Sequence, residues 1–365
     1  MRRPPPGHTV TVSTQGEPFQ AFVPAPLPPA PPLDWSPALR SRFDGALLAL
    51  GRLDAVSALL PNAELLLYSF VRKEAVLSSQ IEGTQSSLAD LLLFEIDEQP
   101  GVPIDDAREV SRCVAALAHG VQRLREGFPL CLRLLREMHA VLMDHPRGVG
   151  KAPGEFRRSQ VWIGGTRPGN AVFVPPPADA LADCLGDFER FLHDLPEATP
   201  ALVKAGLAHV QFETIHPFLD GNGRIGRLLI AALMEQRGLL PEPLMYLSGT
   251  LKKHQREYHR LLSAVRNEGD WEAWVTFFLE AVETAATEAE RAIVAIASLV
   301  AADRRRLLAA PRVGAVALRL FELLPVMPRF TIEQVRQKLQ TTFPTATAAV
   351  KLLEDLGIVA ELTGL

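Results

Sequence analysis

Cysteine is scarce in this 365-residue chain: there are three, Cys113, Cys131 and Cys184. The number is odd and no Cys-x-x-Cys pair occurs. This argues against a disulfide framework and a thiolate zinc site, and fits a reducing compartment. Neither sign of charge is in surplus, since 38 Lys and Arg stand against 42 Asp and Glu. A whole-chain coat for nucleic acid or an anionic membrane is excluded, so any such partner must be recognised locally. Long apolar runs are missing too. Ala292–Ala302 is too short for a bilayer, which takes about 20 apolar residues. The opening MRRPPPGHTV has no apolar stretch of the kind a signal peptide needs. These absences predict a cytoplasmic protein with no membrane partner. No GxxxxGK[ST] run, no alternating strand–helix text and no internal repeat is present, which removes the P-loop, doubly wound and solenoid classes.

What is there divides unevenly. Ten of the 30 prolines lie between Pro4 and Pro32. Proline removes backbone donors and restricts the residue before it, so this segment is expected to be extended and irregular, either a disordered tail or a strap over the body. From Trp35 onward the spacing of Leu, Ala, Glu and Arg is helical. One helix is predicted from about 63 to 82, stopping at Gly83. Another starts near Ser87 with Asp90 completing a capping box. Further helices are predicted over roughly 105–124, 130–143, 178–194, 201–214, 225–237, 252–267 and 271–300. Val161–Pro177, VWIGGTRPGNAVFVPPP, reads instead as a hairpin. The last 55 residues read as three short helices and a strand at Ile358–Leu362. The fold class expected is mainly α.

The chemistry concentrates in Ile215–Leu229, IHPFLDGNGRIGRLL. Pro217 ends the preceding helix and pushes His216 toward an extended backbone, presenting its imidazole from a helix end. Asp220–Gly223 turn into the next helix, expected near Ile225. Two glycines let successive N–H groups converge on an anion, and the helix N-terminus adds its positive dipole end. Arg224 and Arg227 are three apart and share a helix face. Asp220 suits Mg²⁺, which takes one or two carboxylates alongside phosphate oxygens. His216 suits proton transfer near neutral pH. The set fits a polyphosphate. Gly221, Gly223 and Gly226 also spell GxGxxG, but a helix precedes them where a dinucleotide site needs a strand.

HPFLDGNGRIGR, His216–Arg227, resembles the Fic-family signature HxFx[DE]GNGRxxR at every specified position. Pro153–Gly165, Leu244–Leu262 and Trp271–Phe278 are similar to the segment entering the family's flap and to its later core helices, and the likeness covers most of Trp35–Val282. It implies a Fic-type helical core with a small β-hairpin flap and a protein adenylyltransferase activity that moves AMP from ATP, with Mg²⁺, onto a Ser, Thr or Tyr hydroxyl of a protein target or of the chain itself, releasing pyrophosphate. His216 is implied as general base and Asp220 as metal ligand. Asn222 and the Gly221 and Gly223 amides would hold the α-phosphate, and Arg224 and Arg227 the outer phosphates, while Phe218 packs the loop. Alternatives are a Fic-fold de-AMPylase, a transferase using another nucleotide donor, and a nucleotide-sensing transcriptional regulator.

The same resemblance extends to regulation and docking. Ser78–Gly83, SSQIEG, fits the family's inhibitory pattern [ST]xxxE[GN]; Ser78 and Glu82 are one helical turn apart, and Glu82 is implied to pair with Arg227. Val161, Trp162, Ile163 and Gly164 would form the target-docking edge of the flap. Tyr246, Tyr258 and Asn267 are candidates for the adenine and ribose side, although His259 stands where relatives often carry a second tyrosine. The C-terminal helices resemble the start of a winged helix-turn-helix, with Thr345–Lys351 opening the recognition helix. Residues 311–365 hold six Lys and Arg against five Asp and Glu. This leaves DNA open beside a homodimer or target-docking role. The domains expected are 1–33, a proline-rich extended segment; 34–115, a helical region with the inhibitory helix; 116–290, the catalytic core; and 291–365, a linker helix and winged-helix-like domain.

Overall fold

The computed structural model describes residues 6–14, 17–57, 63–96, 101–193, 199–240 and 242–362. Helix dominates. In chain order the elements are strands β1 (Gly7–Thr14) and β2 (Glu17–Pro24), then helices α1 (Pro37–Ser57), α2 (Ala63–Ile81), α3 (Leu88–Glu95), α4 (Ile104–Arg125), α5 (Leu132–Leu142), α6 (Leu181–His193), α7 (Ala201–Ile215), α8 (Asn222–Gln236), α9 (Leu247–Lys253), α10 (Gln255–Glu268), α11 (Trp271–Leu308), α12 (Ala315–Leu323), α13 (Ile332–Lys338) and α14 (Phe343–Asp355). The capping box at Ser87 and Asp90 forms as expected and opens α3.

At the centre, α7 is buried from Leu202 to Ile215. It packs on α6, α8, α10 and α11, and α8 packs in turn on α2, α4 and α5. A helix apolar on one stripe needs one neighbour; a helix buried all round needs several. Gly206 allows a close approach of α11. A Cβ there would come within 2.8 Å of the Phe278 ring, and the Gly206 carbonyl accepts from Trp274 Nε1 at 2.9 Å. The second apolar cluster is separate: Leu307, Leu320, Phe321, Val335, Ala346 and Leu353 join α12–α14 to the far end of α11. The boundary expected at 290 therefore falls inside one continuous 38-residue helix.

Three sequence expectations need correction. The proline-rich segment is not irregular throughout: β1 and β2 form an antiparallel pair, Gly7 opposite Pro24 through Thr14 opposite Glu17. Val10 and Val12 alternate with Thr9, Thr11 and Ser13, the period of a strand with one buried face, and Val10 and Val12 pack on Phe19, Ala21 and Val174. Next, 161–174 makes only one antiparallel bridge, Ile163 with Phe173. The reason is local. Gly164 and Gly165 adopt positive φ, Pro168–Asn170 is a 3-10 turn, and Asn170 Oδ1 takes the Thr166 and Arg167 N–H groups at 3.0 Å in place of a ladder. Finally, no strand forms at Ile358–Leu362 among the described residues. Gly357 turns the chain back, and the Ile358 and Val359 N–H groups both donate to Leu353 O.

The β1–β2 pair and the 161–174 loop meet. Phe22 N–H donates to Val174 O at 2.9 Å, the Phe22 and Phe173 rings lie 6.1 Å apart, and Arg167 pairs with Glu17 at 2.9 Å. The N-terminal hairpin thus braces the 161–174 loop.

Candidate active site

The α7–α8 loop carries the site. His216 caps α7 in the left-handed conformation (φ 51°) and donates its N–H to Phe212 O at 2.9 Å. The extended backbone expected from Pro217 is not adopted. Proline disfavours the right-handed region at the preceding residue, and the left-handed cap avoids that clash while closing one more helical hydrogen bond. Asn222 braces the loop from the other side: its Oδ1 accepts from Phe218 N at 2.8 Å and its Nδ2 donates to Phe218 O at 2.9 Å. Both ends of that side chain are thereby engaged, so the backbone N–H groups opening α8 are what this turn offers an anion. The helix starts at Asn222, three residues earlier than expected, because Gly221 takes φ 74° as its cap.

Beneath the loop, the Phe218 ring stacks on His139 at 3.7 Å between centroids and 6° between planes. Gly154 N–H donates to His139 Nδ1 at 2.9 Å. Nε2 must then carry the proton, and it meets Asp220 O at 3.1 Å. Burial pushes this histidine down to about 4, so it stays neutral and holds the Asp220 backbone. The Asp220 carboxylate is nearly half exposed, 3.8 Å from Arg224, and it accepts from Gly221 N at 2.6 Å. Among the described residues no group of three or more His, Cys, Asp or Glu could hold a metal. A lone, accessible carboxylate beside a helix N-terminus still fits Mg²⁺, whose other ligands are phosphate oxygens and water.

This loop lies within the part of the chain that known families match. Residues 41–122 match the Fic/DOC family N-terminal model and residues 129–234 the Fic/DOC family model, about half of the chain together. The chain belongs to the Fic/DOC family. Protein adenylyltransferase Fic of Drosophila yakuba is 32% identical over 206 residues, which cover 56% of this chain and 38% of that protein. The protein of the same name from Culex quinquefasciatus is 31% identical over 251 residues, 66% of this chain and 45% of its own. The chain thus spans less than half the length of these relatives. Solved structures agree on the fold. A Fic family protein from Desulfovibrio desulfuricans superposes with a TM-score of 0.60 at 21% identity, covering 89% of this chain and 91% of that one. Fic-1 of C. elegans does so with 0.56 at 22% identity, covering 71% and 75%.

In this Fic chain Glu82 lies over the start of α8. A Cβ on Gly223 would come within 2.1 Å of Glu82 Oε1, so only glycine leaves room for that carboxylate. The same oxygen accepts from Arg227 Nη2 at 2.6 Å. Arg227 is buried, and its Nε and Nη2 also donate to Ser78 Oγ and Ser78 O at 2.8 and 3.0 Å. Burial alone would lower its pKa; the Glu82 carboxylate holds it above the ordinary arginine value. In return Glu82, though desolvated, is held below the usual carboxylate range by Arg227. Gly83 follows with φ 101°, ending the turn after α2. Ser78 grips Arg227 rather than orienting Glu82. Arg224 turns the other way, toward Glu109 on α4 at 3.4 Å.

The adenine-side residues do not gather as expected. Tyr258 is 2% exposed, with its hydroxyl 2.8 Å from His209 Nε2, so it offers no face for a base to stack on. It shares the buried face of α10 with Leu261, Leu262 and Val265, an i, i+3, i+4, i+7 pattern that the sequence already displayed. Tyr246 packs on Phe70 and beneath Lys73. Asn267 is exposed at the end of α10. His259 is exposed and lies in the field of Glu82, Arg227 and Arg266; its partial burial lowers its pKa. On the flap, Trp162 is exposed, Val161 and Ile163 are half-buried, and Gly164 takes φ 69°.

Sequence reading missed several residues that build the site. Buried Arg157 donates to the carbonyls of His216 (2.8 Å), Pro176 (2.6 Å), Ser159 (3.1 Å) and Ile215 (3.3 Å), tying the loop to the flap. Arg266 donates to Thr214 Oγ1 and Glu213 O at 3.1 Å each and lies 4.0 Å from the Phe173 ring centre. Lone arginines among many carry no periodic signal. Helix α2, which carries Ser78, is itself anchored, because its buried Glu74 accepts from Ser248 on α9 through N–H (3.0 Å) and Oγ.

Proposed function

We propose that this chain is an autoinhibited protein adenylyltransferase, moving AMP from ATP to a Ser, Thr or Tyr hydroxyl of a protein. The observation that carries this reading is the loop itself. His216 is presented at a helix cap, Asp220 is accessible, and the first turn of α8 lies between them and two buried arginines. Burial pushes the His216 imidazole down to about 4, with Arg266 adding to the effect, so at neutral pH it is unprotonated and ready to accept a proton. The hydroxyl oxygen attacks the α-phosphorus, His216 takes the hydroxyl proton, and pyrophosphate leaves. Asp220 would hold Mg²⁺, which supplies charge compensation to the phosphates when bound. The α8 N–H groups and Arg224 position phosphate oxygens, a contribution of placement and fixed charge. Support for the brake is that Glu82 occupies the same helix N-terminus.

The test is incubation of the full chain and its Glu82→Gly variant with α-labelled and γ-labelled ATP. Protein-bound α-label without γ-label is the expected result; γ-label on protein, or neither label from both chains, overturns the reading. Asp220→Ala should lower Mg²⁺-dependent nucleotide affinity by about tenfold or more, since a lost charge-assisted contact is worth about 1.5–3 kcal/mol. EDTA should stop turnover. Titration calorimetry with and without Mg²⁺ checks this, and unchanged turnover in EDTA would remove the metal role.

The N-terminal hairpin extends the proposed docking surface. The side of the 161–163 arm that faces away from the Ile163–Phe173 bridge can take an extended target segment by strand addition, and β2 holds the opposite arm of that loop. Phe22→Ala should raise the KM for the protein target about two- to tenfold, the worth of an aromatic pair. The Kd for nucleotide should not move. Equal changes in both would show that the hairpin merely stabilises the fold.

A further inference from the structure

Glu213 on α7 is a buried carboxyl that the family signature does not include. It lies against α8, where a Cβ on Gly226 would come within 2.6 Å of its Oε1. Its Oε2 is 4.0 Å from His216 Nδ1. Among the described residues, neither Glu213 Oε1 nor His216 Nδ1 has a hydrogen-bond partner, and both atoms are buried. Buried polar atoms are almost always paired. The carboxylate oxygen that faces the unpartnered Nδ1 is Oε2, not the orphaned Oε1, and the 4.0 Å between them is a gap that a small rotation of the carboxylate or one water would close.

We propose that Glu213 is the positioning residue of His216: its carboxylate faces Nδ1, leaves Nε2 to the substrate hydroxyl, and stabilises the imidazolium formed when Nε2 takes the proton. No bond to Glu213 forms or breaks, because Nδ1 keeps its own proton. The inference rests on the adenylyltransferase reading. The groups facing Glu213 come from four sides: His209 and His216 on α7, Arg227 on α8, Tyr258 and Arg266 on α10, and Glu82 beyond the end of α2. Burial pushes the Glu213 carboxyl up to about 7; Arg227 opposes the rise and the charge on Glu82 adds to it. The acid form cannot stabilise an imidazolium and the carboxylate can, so turnover should climb with pH as Glu213 ionises. The brake and the base are thereby coupled, since removing Glu82 removes a like charge and moves that ionisation to lower pH.

The experiment has two arms on the full chain. In the first, ¹⁵N-histidine spectra are titrated from pH 5 to 9, with His216 identified by its loss in His216→Asn. The His216 ring shifts should step near pH 7 in the wild type, step at lower pH in Glu82→Gly, and show no such step in Glu213→Gln. In the second, the pH dependence of kcat is measured for AMP transfer in the Glu82→Gly background. Glu213→Gln should lose the rising limb and drop the plateau about ten- to hundredfold, and Glu213→Asp should restore the limb. A step and limb that persist in Glu213→Gln overturn the proposal, as does a plateau that the variant leaves unchanged. The spectroscopic arm needs no turnover, so it decides whether Glu213 faces His216 even if AMP transfer itself is never seen.

Discussion

His216→Ala should reduce AMP transfer by about 10²–10⁴-fold, the usual size of a lost general base. The fold should be undisturbed, because the side chain retains 20% of its exposure and its backbone, not its ring, closes α7. The loop is also held independently of the imidazole: Arg157 binds the His216 carbonyl, and Asn222 clamps Phe218 from both sides. One consequence of the substitution is separable. A left-handed backbone suits alanine less well than asparagine, which visits that region readily. His216→Asn therefore serves as a second variant, equally unable to act as a base but without the backbone penalty. Both should bind nucleotide like the wild type and unfold within a few degrees of it, while transferring α-label at background level. Transfer undiminished in a folded His216→Asn chain would take His216 out of the chemistry. Loss of nucleotide binding in both would mean that it holds the phosphates.

Much of this site was legible because its chemistry is local. His216, Asp220, the glycines, Arg224 and Arg227 occupy one loop and one helical turn, where spacing alone fixes direction. Glu82 was reachable only through the family pattern that SSQIEG resembles; its place one helical turn from Ser78, at the end of a readable helix, is ordinary by itself. What escaped reading depends on contacts between distant segments. Arg157 and Arg266 matter through carbonyls and a ring that other elements bring to them. Tyr258 lies in the core, as the apolar face of its own helix disclosed, although resemblance pointed to a base pocket. The strands at Gly7–Thr14 and Glu17–Pro24 were hidden by flanking prolines. At 161–174 the error ran the opposite way: β-branched residues suggested a ladder, but Gly164, Gly165 and Pro168 commit the backbone to turns. The terminal strand failed for want of a neighbour, since a strand without a partner leaves its donors unmet.

Glu82→Gly should raise AMP transfer about tenfold or more, with self-modification as the simplest readout. The direction follows from three contacts. Glu82 Oε1 is 2.6 Å from Arg227 Nη2, so a nucleotide must displace a formed ion pair to recruit that guanidinium. The carboxylate also rests on Gly223, at the helix end where phosphate oxygens would accept N–H bonds, so it competes for the same donors. Its charge repels whatever phosphate remains. The magnitude is bounded by exposure. Arg227 is 2% exposed but Glu82 is 41%, so solvent screens the pair and its worth falls below the several kcal/mol of a fully buried one. A tenfold gain needs only about 1.4 kcal/mol across all three effects. Glu82→Gln, which keeps the volume and removes the charge, should give a smaller gain because the side chain still lies over Gly223. Ser78→Ala should give a smaller gain still, by loosening Arg227 Nε from α2 without touching the carboxylate. The double change Glu82→Gly with Arg227→Ala should fall back to wild-type transfer or below, since the freed clamp is absent. If that double variant remains as active as Glu82→Gly alone, the release runs through the α8 N-terminus and not through Arg227. If Glu82→Gly changes neither nucleotide affinity nor transfer, Glu82 is an ordinary helix-end carboxylate and the chain has no brake at this position.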